Sequence, residues 1–105
     1  MKRMALVLLG MTLATSALAE TVRSSSFEGE IQRRAIKPLS DGSPMSHLYV
    51  SVRALNGAAP TQGQMAAAAR FAAAAGCRNG TALSTIAAGV TAGAAQFEVL
   101  CKGGR

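Results

Sequence analysis

The sequence predicts a small two-layer α+β domain, with one helix packed on one face of an antiparallel sheet and the element order ββαββ. An alanine-rich segment in the middle of the chain has helical spacing. The segments on either side alternate apolar and polar residues with a period of two, which is typical of half-buried strands. The two cysteines, Cys77 and Cys101, follow the helix and lie in the last strand. A sheet covered by a helix is the natural closure for this order.

The first nineteen residues have the features of a bacterial signal peptide. Lys2 and Arg3 precede an apolar stretch over residues 5–13, and a small-x-small motif ends at Ala19. We expect cleavage after Ala19, which leaves residues 20–105 as one small domain in the periplasm or outside the cell. An uncleaved anchor is the competing interpretation, but the apolar stretch is short for a bilayer.

The charge of the mature chain restricts its partners. Without Lys2 and Arg3, nine basic residues remain against five acidic ones, a net charge of about +4. A mild positive charge is compatible with an envelope protein or an anionic cell-wall polymer as partner. Nucleic acid is disfavoured, because the chain is exported and has only one tyrosine and three phenylalanines to stack on bases.

Two strands are predicted before the helix. Apolar residues and glycine alternate with polar residues over 27–31, after a polar serine run. A loop over 37–44 separates this strand from the clearest one, His47–Leu55. In that second strand, the even-numbered positions 48–54 are apolar and form one face, and Tyr49 and Arg53 belong to the other.

The helix has a clear beginning and end. Thr61 is a good N-cap and Gln64 stands in capping-box position. Eight of the ten residues over 66–75 are alanine, the best helix former, and we expect Gly76 to end the helix in a left-handed conformation. One stripe should face the sheet: Met65, Ala68, Phe71, Ala72 and Ala75.

The region after the helix carries no charge over residues 79–97. Its few large apolar residues are scattered among small and polar ones, so no transmembrane span is expected after signal cleavage. A strand over 83–90 that turns near Gly93 is one interpretation, and a short helix over 82–88 is the other. The last strand, 96–102, alternates clearly.

The two cysteines predict a structural disulfide rather than a redox or metal site. Cys77 and Cys101 are far apart in sequence, so a thioredoxin-like Cys-x-x-Cys motif is absent. An exported domain of this size benefits from a covalent link. One histidine with two distant cysteines does not match the spacing of structural zinc sites, and no phosphate-binding loop is present. We therefore predict neither a metal nor another cofactor.

The alternative hypothesis for the function is an enzyme. His47, the only histidine, could act as a base toward Ser46 or together with Asp41, which would make the protein a small secreted hydrolase. Neighbours on a strand point to opposite faces, so Ser46 is poorly placed for this role. Glu28 and Glu30 could form a pair of catalytic carboxylates, but on a solvated strand face this is disfavoured.

The favoured hypothesis is a non-enzymatic binding or envelope-accessory protein. If the helix covers one face of the sheet, the other face stays open. That face carries larger and more apolar residues than a solvated surface requires, and Tyr and Arg are enriched among residues that anchor interfaces. The predicted partner-binding residues are Tyr49, Arg53, Arg34 and Leu100.

Overall fold

The computed structural model describes residues 19–103, which form one five-stranded antiparallel sheet and one helix. The predicted signal peptide lies outside the described residues except for Ala19. The strands lie in the spatial order β1-β2-β3-β5-β4. The elements are β1 (Ala19–Arg23), β2 (Phe27–Ile36), β3 (Met45–Ala54), a 3₁₀ turn (Gln62–Gln64), α1 (Met65–Gly76), β4 (Gly80–Thr91) and β5 (Ala94–Gly103).

The predicted ββαββ order is wrong, because β1 precedes the other elements and the order is βββαββ. The arrangement remains α+β. Sequence periodicity missed β1 because Val22 is its only large apolar residue and none of its side chains is fully buried. This strand is defined by its antiparallel ladder with β2, in which Val22 lies opposite Gly29. Such backbone pairing leaves little trace in the order of side chains.

The core lies between α1 and one face of the sheet. Alternate residues of β2, β3 and β5 are buried on this face, as the period of two indicated. The helix contributes the small residues Ala68, Ala72 and Ala75. The largest fully buried side chains are Phe97, Ile31, Leu48, Val50, Val52, Val99 and Cys101.

Two glycines let the helix lie close to the sheet. A Cβ atom on Gly76 would overlap Cδ1 of Leu48, so this glycine is needed for close approach. The predicted left-handed stop at Gly76 is wrong, since the helix includes it and the positive φ occurs at Asn79. A Cβ atom on Gly29 would stand 2.9 Å from Cε2 of Phe71, whose ring packs on that strand.

The segment that could have been a strand or a helix is the strand β4. It pairs with β5 along its whole length, with register shifts between Ala82 and Ser84 and between Ala87 and Gly89. These β-bulges break the alternation, which explains why periodicity could not assign the segment. The turn to β5 consists of Ala92 and Gly93, both with positive φ, as in a two-residue hairpin.

The predicted disulfide is confirmed. Cys77 follows α1 and is bonded to Cys101 in β5, with 5.5 Å between the two Cα atoms. Both cysteines are buried in the core. The bond joins the end of the helix to the sheet, and β4 begins three residues after Cys77.

Candidate binding surface on the open face of the sheet

The face of the sheet opposite α1 is the candidate site, and we call it the open face. Alternation along the strands and the ladder registers determine which residues share it. Helix α1 packs on the other side. The open face carries Glu28, Glu30, Gln32, Arg34 and Ile36 from β2, His47, Tyr49, Ser51 and Arg53 from β3, Gln96, Glu98, Leu100 and Lys102 from β5, and Ser84 and Ile86 from β4.

One end of the open face is a shallow apolar depression with a volume of about 180 Å³. Its apolar walls come from three different strands: Ile36 of β2, Ile86 of β4 and Leu100 of β5. His47, Ser84 and Glu98 complete the lining. The strand order β2-β3-β5-β4 brings these residues together, although they are far apart in sequence.

Tyr49, a residue that is 43% exposed, stands beside this depression. The His47 imidazole packs against it, with ring centroids 4.7 Å apart and planes inclined by 45°. Arg34 lies on the neighbouring strand and lines a small depression together with Tyr49. Tyr49 is therefore an accessible aromatic group whose ring packs against His47, and the basic side chain next to it is Arg34.

Of the four predicted partner-binding residues, three lie in one region and the fourth lies apart. Tyr49, Arg34 and Leu100 surround His47, which pairs with Arg34 on one side and Leu100 on the other. Arg53 is four residues further along β3 than Tyr49, a separation of about 13 Å at the rise of a strand. Its guanidinium Nη2 donates to the carbonyl oxygen of Ala92 at 2.8 Å, so it already holds the β4–β5 turn.

The structure gives His47 a carboxylate neighbour. Its Nε2 lies 3.2 Å from Oε1 of Glu98, across the β3–β5 ladder. A histidine oriented by a carboxylate is part of a catalytic triad, but a nucleophile must also contact it. Ser84 lines the same depression two strands away, about 9–10 Å at the usual strand spacing, which is beyond hydrogen-bond reach.

The other predicted hydrolase residues also lie away from His47. Ser46 is on the helix side of β3, as the alternation predicted. Asp41 lies in the loop before β3, where its carboxylate accepts the backbone N–H of Ser43 at 2.8 Å. Hydrogen bonds from Ser43 hold the pKa of Asp41 below its usual value, so this carboxylate is occupied locally.

The carboxylates of β2 lie at the opposite end of the open face. Glu28 and Glu30 line a small depression with Ser51 and Arg53. Glu28 also approaches Arg23 of β1, with 3.5 Å between the carboxylate and the guanidinium. Between residues 19 and 103, no three His, Cys, Asp or Glu side chains form a group that could hold a metal ion.

Sequence reasoning missed Ile36, Ile86 and the contact of His47 with Tyr49. Ile36 continues the alternation of β2, but the basic residues before it suggested that the strand had already ended. Ile86 was not assigned to a face because the bulges of β4 change the phase of the side chains. The spacing of His47 and Tyr49, two residues apart on one strand, was the available signal for their contact.

Comparisons with known proteins do not identify a function for the open face. In the described part of the chain, no helix is both long and apolar enough to span a membrane. No protein-family model, curated protein or solved structure matches the chain. The functional argument therefore depends on the open face itself.

Proposed function

We propose that the chain is a small exported, non-enzymatic binding domain that uses the open face of its sheet to bind a protein of the cell envelope. The observation that carries this proposal is the group of exposed large apolar and aromatic side chains on a face that α1 does not cover. Tyr49 is 43% exposed and Ile86 is 58% exposed, beside the half-buried Leu100. Aromatic residues are enriched in protein interfaces.

The charges of this face favour a protein over an anionic polymer as the partner. Basic residues such as Arg34 and Lys102 share this face with acidic residues such as Glu30 and Glu98. A uniformly anionic polymer would meet both signs of charge, whereas a folded protein can present complementary charges around an apolar centre. Arg34 would lie at the rim of this interface and Arg53 further out.

The disulfide supports the exported location. Disulfides form and persist in oxidising compartments, and the Cys77–Cys101 bond lies in the core of the domain. The predicted cleavage after Ala19 would remove a single residue of β1 and leave Glu20 as the first residue of the mature chain.

The test is affinity capture from envelope extract, with the partner identified by mass and its Kd then measured. Tyr49→Ala combined with Leu100→Ala should weaken the Kd about 30-fold or more, since the loss of interface anchors costs about 2 kcal/mol or more. The protein should be recovered from the periplasm, where its intact mass checks that it begins at Glu20.

The matched control is Leu55→Ala. Leu55 is 44% exposed, close to the value for Tyr49, but it lies in the turn after β3. This variant should bind like the wild type. Equal binding by all three proteins would contradict the proposal. Binding to purified cell-wall polymer that falls steeply with salt would indicate the polymer as partner instead.

A further inference from the structure

The strand β4 is an unusual sheet edge. In the described residues it has a neighbour, β5, on one side only. It is twelve residues long, Gly80–Thr91, and none of its residues is charged. Its large side chains are exposed: Leu83 by 47%, Ile86 by 58% and Val90 by 57%. An edge strand presents unpaired N–H and C=O groups that can pair with a further strand.

We propose that two copies of this chain associate by antiparallel pairing of their β4 strands around a two-fold axis, which joins the two sheets into one sheet of ten strands. A two-fold axis makes each strand its own partner, so the strand must be compatible with itself. The absence of charge in β4 meets this condition because no like charges face each other across the axis.

Charge also selects a second copy over other partners. The mature chain is basic overall, with about +4, so surfaces that carry the excess positive charge repel each other between two copies. The uncharged β4 edge is a place where two copies can approach without this repulsion. A strongly charged partner would find no complementary charge on β4 to select it.

The geometry points to Ile86 as the centre of the pairing. In antiparallel pairing around a two-fold axis, directly opposite residues share a face of the sheet, so the axis must pass beside one residue. The segment Ser84–Ala87 between the two register shifts is the regular part of β4. An axis at Ile86 places this residue against Ile86 of the second copy, on the open face.

The backbone hydrogen bonds of this interface lie in the middle of β4. The regular segment Ser84–Ala87 would form about four inter-strand bonds across the two-fold axis. The register shifts near each end of β4 limit regular pairing to its middle. The opposite edge, β1, has five residues including Glu20 and Arg23, so it does not extend the assembly in the same way.

The test compares the mass of the mature protein in solution with that of Ala87→Lys. Ala87 is exposed and lies on the helix side of β4, away from the open face. Near the axis the two introduced lysines would lie within a Debye length of each other. Sedimentation equilibrium should give a dimer for the wild type and a Kd for dimerisation raised about tenfold or more for this variant.

Thr21→Lys is the matched control, because it adds the same charge at an exposed position on the opposite edge. It should dimerise like the wild type. Amide hydrogen exchange over residues 84–87 should slow as the concentration of wild type rises. A monomer at all concentrations, or a dimer that Ala87→Lys leaves unchanged, would overturn the proposal.

Dimerisation through β4 and partner binding by the open face can be tested separately. The Tyr49→Ala, Leu100→Ala protein should still dimerise, and Ala87→Lys should still capture the partner. If the former variant dissociates the dimer and the latter does not, association occurs through the open face, and the pairing of β4 is overturned.

Discussion

Within residues 19–103, the two edges of the sheet differ in length, in charge and in their exposed apolar side chains. β1 has five residues and carries Glu20 and Arg23. β4 has twelve residues, none charged, with three large apolar side chains exposed. Short length and charge are common means of keeping an edge from pairing with another chain. β4 lacks both, and its register shifts are its one protective feature.

The edges also differ in how they are attached to the rest of the fold. β1 is linked by the Arg33 side chain, whose Nε and Nη2 donate to the Glu20 carboxylate at 3.2 and 3.3 Å. Its Nη1 donates to the carbonyl oxygen of Gly76 at 3.0 Å, at the C-terminal end of α1. β4 is attached through its ladder with β5, the turn at Ala92 and the nearby disulfide.

The comparison teaches that the two edges depend on different kinds of interaction. A five-residue ladder and a few polar side-chain contacts hold the short edge, and these contacts are sensitive to the removal of single charges. Backbone pairing and a covalent bond hold the long edge, so it can present exposed apolar side chains and remain ordered. The following variants test this difference, in order of expected effect.

Replacing both cysteines by alanine should have the largest effect. The bond closes a loop between positions 24 apart, and its loss should lower the free energy of unfolding by about 3–4 kcal/mol in the chain-entropy model. Urea unfolding measures this loss. Amide exchange should accelerate more in β4 than in β1. A loss under about 1 kcal/mol, or equal acceleration at both edges, would contradict the assigned role of the disulfide.

Arg33→Ala should act on the β1 edge. It removes hydrogen bonds to a carboxylate and to the helix end from a side chain that is 19% exposed, so a loss of about 1.5–3 kcal/mol is expected. Arg34→Ala, the exposed neighbour on the other face, should cost under about 0.5 kcal/mol. Urea unfolding of both variants provides the comparison, and equal losses would mean that Arg33 does not secure β1.

Ala92→Gly should have the smallest effect and the opposite sign. Ala92 has φ of 55°, a left-handed conformation that costs a non-glycine residue about 1–2 kcal/mol. Part of the relief is offset by the greater freedom of glycine in the unfolded chain, so a gain of about 0.5–1 kcal/mol is expected. Ala87→Gly, within the regular part of β4, should instead lose stability. A melting temperature that falls for both would exclude strain at Ala92.

The local patterns of the sequence predicted much of the fold. The period of two in β3 and β5 assigned their buried faces, because a strand between core and solvent must alternate. The helix was predictable from its alanines, whereas the predicted capping box begins the 3₁₀ turn before α1, where Gln64 accepts the N–H of Thr61 at 2.8 Å. β1 escaped prediction because backbone pairing, not side-chain burial, defines it.

Much less of the candidate site could be predicted. Tyr49 and Leu100 were identifiable from the sequence as residues larger than a solvated strand face requires. Their role in binding a partner is a proposal. The depression lined by Ile36, Ile86 and Leu100 requires the strand order β2-β3-β5-β4. The residue pattern of one segment does not show which residues of other strands will lie next to it in the sheet.

The sequence by itself therefore determined the local elements: the helix, the alternating strands and the pair of cysteines that could be joined. These follow from backbone propensities and from the burial of one side of each element, which act over a few residues. Only the tertiary structure decided which strands are edges, that Gly76 leaves room for the Leu48 side chain, and that Arg33 links β1 to the helix. Those contacts join residues distant in the chain, and their energies depend on packing geometry that short-range patterns do not contain.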